Sequence, residues 1–172
     1  MDTTVSFFES LKAVFIQAAP ETPQECWPVT FFVIFILAVS AVRDALTKTI
    51  PEPLIFFGLF VSVAVLGFSD SWENAAHHLL LGIVACVIIW AINFAWYWKF
   101  GYDALGMGDA KWTMLAVTWF GVLPVAVAWG VGSVLATILI GTMRLFRRKI
   151  VRVAFSPFLF AGLGVGLDFL FF

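Results

Sequence analysis

Residues 78–98 read "HLLLGIVACVIIWAINFAWYW". The run is 21 residues long and contains no Asp, Glu, Lys or Arg. About 20 such residues, wound as a helix, cross the roughly 30 Å of hydrocarbon in a bilayer. The stretch therefore predicts a transmembrane helix. Outward from it, the same reading applies to 53–68 ("PLIFFGLFVSVAVLGF") and 27–43 ("WPVTFFVIFILAVSAVR") on one side. On the other side it applies to 110–121 ("AKWTMLAVTWFG", which is short), 122–143 ("VLPVAVAWGVGSVLATILIGTM") and 156–172 ("SPFLFAGLGVGLDFLFF"). Composition agrees: the chain is 62% hydrophobic and 12% charged, with mean hydropathy +1.01. Soluble domains carry about a quarter charged residues. A chain of 172 residues has too much surface for its volume to hide so much apolar matter. Lipid must be the solvent for most of it. The expected fold is all-α, a polytopic membrane protein with six transmembrane helices. Trp27, Trp72, Trp96, Tyr97, Trp98 and Trp112 fall near segment ends, where aromatic belts belong.

The basic residues orient the chain. If the first helix ends in the cytoplasm, Arg43, Lys48, Lys99, Lys111, Arg144, Arg147, Arg148, Lys149 and Arg152 all lie inside. Only Lys12 lies outside, and the opposite orientation would reverse the rule that positive charge stays in the cytoplasm. Both termini are thus expected outside, with Glu21, Glu25, Asp70 and Glu73 on the outer side. The cluster 144–152 ("RLFRRKIVR") reads as an anchor beside anionic lipid or as a contact for a partner protein. A net charge of −1 gives no field that would attract nucleic acid.

Residues 1–26 read as an N-terminal extension and 27–172 as the membrane domain. The extension begins with acids and lacks a basic start and long apolar run, so it is not a signal peptide. Within it Phe7, Phe8, Leu11, Val14 and Phe15 share a helical face, the stripe of an interfacial helix. Cys26 and Cys86 form no C-x-x-C pair and suggest neither zinc nor a disulfide framework. His77 and His78 are adjacent, so they point to different faces of a helix and are not expected to share a metal.

Charge at membrane depth is costly and usually functional. On the inner side the acids against apolar segments are Asp44, Glu52, Asp103 and Asp109. Asp168 is expected to be buried in the outer portion of the last helix. Asp44, in "AVRDALTKTIPEPL", ends the first helix, and Asp109, in "GMGDAKW", begins the fourth. They are 65 positions apart yet reach the same depth of one leaflet. Gly106 and Gly108 let the backbone pass close to another segment and adopt conformations that other residues avoid. Asp109 is also placed to cap the fourth helix, whose dipole favours its anionic form. Two carboxylates in contact hold one proton between them, because like charges this close resist joint ionisation. The ionised member draws a proton from water and the protonated one polarises a carbonyl, which is amide-hydrolysis chemistry. The pair would titrate as a unit.

"RDALTKTIP" together with "GMGDAKWTMLAVTWFG" resembles the type IV prepilin peptidase family, membrane aspartic proteases with a G-x-G-D motif. The resemblance covers roughly residues 28–166, and its last part is "SPFLFAGLGVG". It implies catalytic Asp44, before Ile50-Pro51, and catalytic Asp109, with Gly106, Gly108, Lys111 and Pro51 as motif positions. The family usually has Asn or Asp after the Ile-Pro step, where this chain has Glu52. Without paired C-x-x-C motifs, it looks like a peptidase-only member, as in Flp/Tad pilus systems or archaeal preflagellin peptidases. The resemblance implies prepilin-like substrates with a basic leader, a site facing the cytoplasm in the inner or cytoplasmic membrane, and no cofactor or metal. Lys111 pairs with Asp103 or Asp44, or marks the interface. Asp103, in "GYDAL", lacks the glycine pattern and ranks below Asp109. Two other classes fit a six-helix chain with inner-leaflet acids. One is a small proton or cation transporter, which predicts ion flux. The other is a catalytically silent pilus-assembly protein, which predicts that Asp→Asn variants keep working.

Overall fold

The computed structural model describes residues 26–103, 105–145 and 153–171. The expected interfacial helix at 5–16 and most of the basic cluster at 144–152 lie outside these residues. Six α-helices and no strand are found among the described residues. They are α1 (Trp27–Thr47), α2 (Glu52–Ser69), α3 (Trp72–Phe100), α4 (Met107–Phe120), α5 (Val122–Leu145) and α6 (Ser156–Phe171). Four of them, α1, α2, α3 and α5, are long and apolar enough to cross a membrane. The 14 residues of α4 and 16 of α6 make shorter helices, α6 apolar over Ser156–Asp168.

Local chemistry sets the boundaries. Pro28 sits in the first turn of α1, where its missing N–H costs nothing. α1 runs past the expected end at 43 and stops where Lys48 turns left-handed, at φ 56°. Pro51 and Pro53 then start α2. The expected polar loop at 69–77 shrinks to two residues, because α3 begins at Trp72. Ser71 caps it by accepting from the Asn74 N–H at 3.1 Å, with Glu73 in the positive first turn. Gly101, at φ 77°, ends α3 in a conformation that glycine adopts without a Cβ penalty.

α4 is the centre. Eleven of its 14 residues are buried, against α1, α2, α3 and α5. Its apolar residues, Trp112, Leu115, Val117 and Trp119 among them, face several neighbours at once, as a helix in the middle of a bundle requires. Its indoles find partners in turn: Trp112 Nε1 donates to the Leu37 carbonyl at 3.4 Å and Trp119 Nε1 to Thr30 Oγ1 at 3.1 Å. From α5, Trp129 Nε1 donates to Thr113 Oγ1 at 3.0 Å. α5 and α6 pack most closely. A Cβ on Gly162 would lie 2.5 Å from the Ala128 carbonyl oxygen, and one on Gly166 2.4 Å from that of Pro124. Small residues that let backbones meet are the usual means of helix pairing in lipid. On the outside, α3 exposes Val84, Val87, Ile88, Ile92 and Phe94. An apolar face of this size is out of place in water and ordinary in a bilayer.

Candidate active site

Three helix ends meet at one point. Asp44 lies in the last turn of α1, Asp109 in the first turn of α4, and Ser156 is the first residue of α6. All three are buried: Ser156 is 0%, Asp109 5% and Asp44 8% exposed. Ser156 touches both acids. Its hydroxyl lies 2.7 Å from Asp109 Oδ1, and its backbone N–H donates to Asp44 Oδ2 at 3.3 Å. The N–H is available because the first amides of a helix have no partner within it. The second oxygen of Asp109 turns back and accepts from the Gly106 N–H at 3.2 Å. Asp109 thus caps its own helix from the third helical position, as expected.

The two sequence motifs are in physical contact. A Cβ on Gly108 would lie 2.8 Å from Ile50 Cδ1 and 3.0 Å from Ile50 Cβ. The side chain ahead of Pro51 therefore rests on the glycine of the other motif, and only a residue without a Cβ leaves room for it. Gly106 has φ −74° and ψ 141°, extended geometry open to any residue. Among the described residues the glycines with positive φ are Gly101 and Gly121. Gly108 therefore serves close approach, while a Cβ on Gly106 would meet nothing nearer than Asp109 Oδ2, at 3.2 Å, and the expectation that the motif glycines supply special backbone conformations is corrected. Pro51 precedes the first residue of α2, and its carbonyl accepts from Leu54 and Ile55 at 3.2 and 3.3 Å.

Asp44 and Asp109 open onto a cleft of about 230 Å³. Lys48, Thr49, Ile50 and Glu52 form one wall, and Gly106, Met107, Gly108 and Lys111 the other. Lys111 pairs with Glu52, and its ammonium lies 5.9 Å from the Phe56 ring centre. The expected partners of Lys111, Asp103 or Asp44, give way to Glu52, an acid expected on the inner side but not as the partner of this lysine. The Glu52 side chain is 62% exposed, so the pair adds about 0–1 kcal/mol of stability. Its evident effect is to join the start of α2 to α4 across the cleft.

Asp103 does not line that cleft. It accepts from Asn93 Nδ2 at 3.0 Å, while Asn93 Oδ1 accepts from the Leu105 N–H at 2.9 Å. One amide on α3 thus holds the segment that leads into the glycine motif. Asp168 is exposed, not buried as expected. His78 Nδ1 lies 3.1 Å from the Thr118 carbonyl oxygen, and His77 is exposed. Among the described residues no three His, Cys, Asp or Glu side chains gather as a metal site would need. Ser156 escaped the sequence reading. "SPF" is a legible helix start, but nothing in it names the acids that the serine meets.

Chemically, the site holds two buried carboxyl groups, a hydroxyl and a helix N-terminus at the edge of an open cleft. That set can share a proton and deliver water to a polarised carbonyl. Comparison with known proteins points the same way. The sequence profile of the type IV leader peptidase family matches residues 31–144. The prepilin leader peptidase/N-methyltransferase of Escherichia coli (strain K12) is 28% identical over 169 residues, covering 92% of this chain and 70% of that protein. No solved structure matches the chain.

Proposed function

The chain belongs to the type IV leader peptidase family, and from that membership we propose that it is an aspartic endopeptidase acting through Asp44 and Asp109. Its substrates are prepilin-like precursors: a basic leader, a cut after glycine, then an apolar helix. The observation that carries the reading is the convergence on Ser156 of two acids 65 positions apart, both buried at the mouth of one cleft. A buried pair of carboxyl groups at an open cleft has little structural use and a direct hydrolytic one.

The substrate helix stays in lipid while its basic leader stays in the cytoplasm, which brings the scissile bond to the depth of the two acids. Support for an active site on the cytoplasmic side comes from the positive-inside rule, since Lys48, Lys99 and Lys111 lie at the same ends of their helices as the site. The relative named above carries a second activity in its name, and this chain has no C-x-x-C pair to suggest a methyl-transferring domain.

Co-expression with a prepilin tests the reading. Asp44→Asn and Asp109→Asn, at membrane levels equal to wild type, should each reduce cleavage by at least about a hundredfold, the lower range for loss of a general acid or base. Cleavage at the normal rate by either variant would remove the dyad. Normal pilus assembly with both variants would point to a silent scaffold instead.

A further inference from the structure

We propose that Ser156 is a positioning residue that gives the two aspartates unlike roles: Asp109 takes the proton from water and Asp44 supplies a proton to the carbonyl. The inference rests on the peptidase reading above and deepens it. Ser156 lies beyond the stretch 31–144 matched by the family profile.

Two independent features point to this assignment. The first is hydrogen bonding. The Ser156 hydroxyl donates to Asp109 Oδ1 at 2.7 Å, a well-formed O–H bond. Asp109 also accepts from Gly106 N–H at 3.2 Å. Asp44 receives the Ser156 N–H at 3.3 Å, beyond the usual 2.7–3.2 Å range for such bonds. The second is the position of each acid on its helix. Asp109 is in the first turn of α4, where the helix dipole favours negative charge. Asp44 is in the last turn of α1, where the dipole opposes it. The N-terminus of α6 faces both acids and does not distinguish them. Hydrogen bonds and dipoles therefore agree.

The reaction then balances as follows. The Asp109 carboxylate removes a proton from water as the water oxygen bonds to the scissile carbonyl carbon. The carbonyl oxygen takes the hydrogen of Asp44, giving a gem-diol. On collapse the C–N bond breaks, and the departing nitrogen takes the proton held by Asp109. One gem-diol hydroxyl returns its proton to Asp44, so both acids regain their starting states. Among the described residues, the other ionisable side chains on the cleft are Lys48 at the end of α1, Glu52 from α2 and Lys111 from α4, the last two paired with each other.

The test is the pH dependence of kcat and KM for cleavage of a prepilin in detergent by Ser156→Ala, Ser156→Gly and Ser156→Thr. Loss of a hydrogen bond to an anion should lower kcat roughly tenfold to a hundredfold in Ala and Gly, with KM changed less than about twofold. It should also move the acidic limb of the profile to higher pH, because the anion has lost a donor. The alkaline limb should stay in place. Thr keeps the hydroxyl and should return the acidic limb toward the wild-type position. Wild-type limb positions in Ala and Gly, or movement of the alkaline limb alone, would overturn the assignment. So would failure of both variants to accumulate in the membrane, which would make Ser156 merely structural. An unmoved profile alongside inactive Asp44→Asn and Asp109→Asn sinks this inference and spares the peptidase. An active Asn variant sinks the peptidase.

Discussion

Gly108 and Ile50 show how single side chains decide whether two motifs can meet. The isoleucine lies where a Cβ at 108 would have to go, the closest approach being 2.8 Å. Gly108→Ala should therefore destabilise the protein by about 1–3 kcal/mol, the usual cost of overpacking a filled site. It should also impair cleavage by pushing the start of α4 away from the Ile50–Pro51 segment that leads into α2. Trimming the partner should restore room: Gly108→Ala with Ile50→Ala should be more active than Gly108→Ala alone. Thermal unfolding in detergent and prepilin cleavage would measure both effects, and strictly additive losses would contradict the contact. At this scale much was legible. Asp44 and Asp109 stood out because each is a charge at the edge of an apolar run. Ser156 did not, since a serine at a helix start is an ordinary cap, and Glu52 was legible as an inner-side acid but not as the partner of Lys111. Their partners depend on how α6 and α4 cross α1 and α2, and no local pattern encodes that.

Among the helices, apolar length revealed α1, α2 and α5 nearly to their ends. It failed at the start of α3, where "WENAAH" is polar enough to read as loop. Capping by Ser71 and the packing of the Trp72 ring against Gly67, where a Cβ would lie 2.6 Å away, extend the helix over it. Pairing of α5 with α6 was also hidden, because glycine spacing does not say which glycines meet a neighbour. The structure separates them. Gly162→Ala drives a methyl into the Ala128 carbonyl and should lower stability by about 1–3 kcal/mol. Gly164 on the same helix has open space around it, so Gly164→Ala should be neutral or gain up to about 1 kcal/mol. Melting both variants in the same detergent compares them directly, and equal shifts would mean that the α5–α6 contact is not the one described.

As a whole molecule, the chain is a multi-pass membrane protein whose ends of α1 and starts of α4 and α6 gather on one side, with the turn at Asp70–Ser71 at the other ends of α2 and α3. The positive-inside reading assigns the first side to the cytoplasm. With Cys26 and Cys86 replaced, Asp70→Cys should react with an impermeant maleimide added from outside. Asp103→Cys should react only after the membrane is opened, and the reverse pattern would invert the topology.

The brevity of α4 has a consequence for the reaction itself. Hydrolysis consumes water, and a bilayer interior holds almost none. Fourteen residues of helix extend about 21 Å, roughly two turns less than the hydrocarbon is thick. With Asp109 in the first turn of so short a helix and the cleft opening beside it, the reacting pair would draw its water through that cleft rather than across lipid.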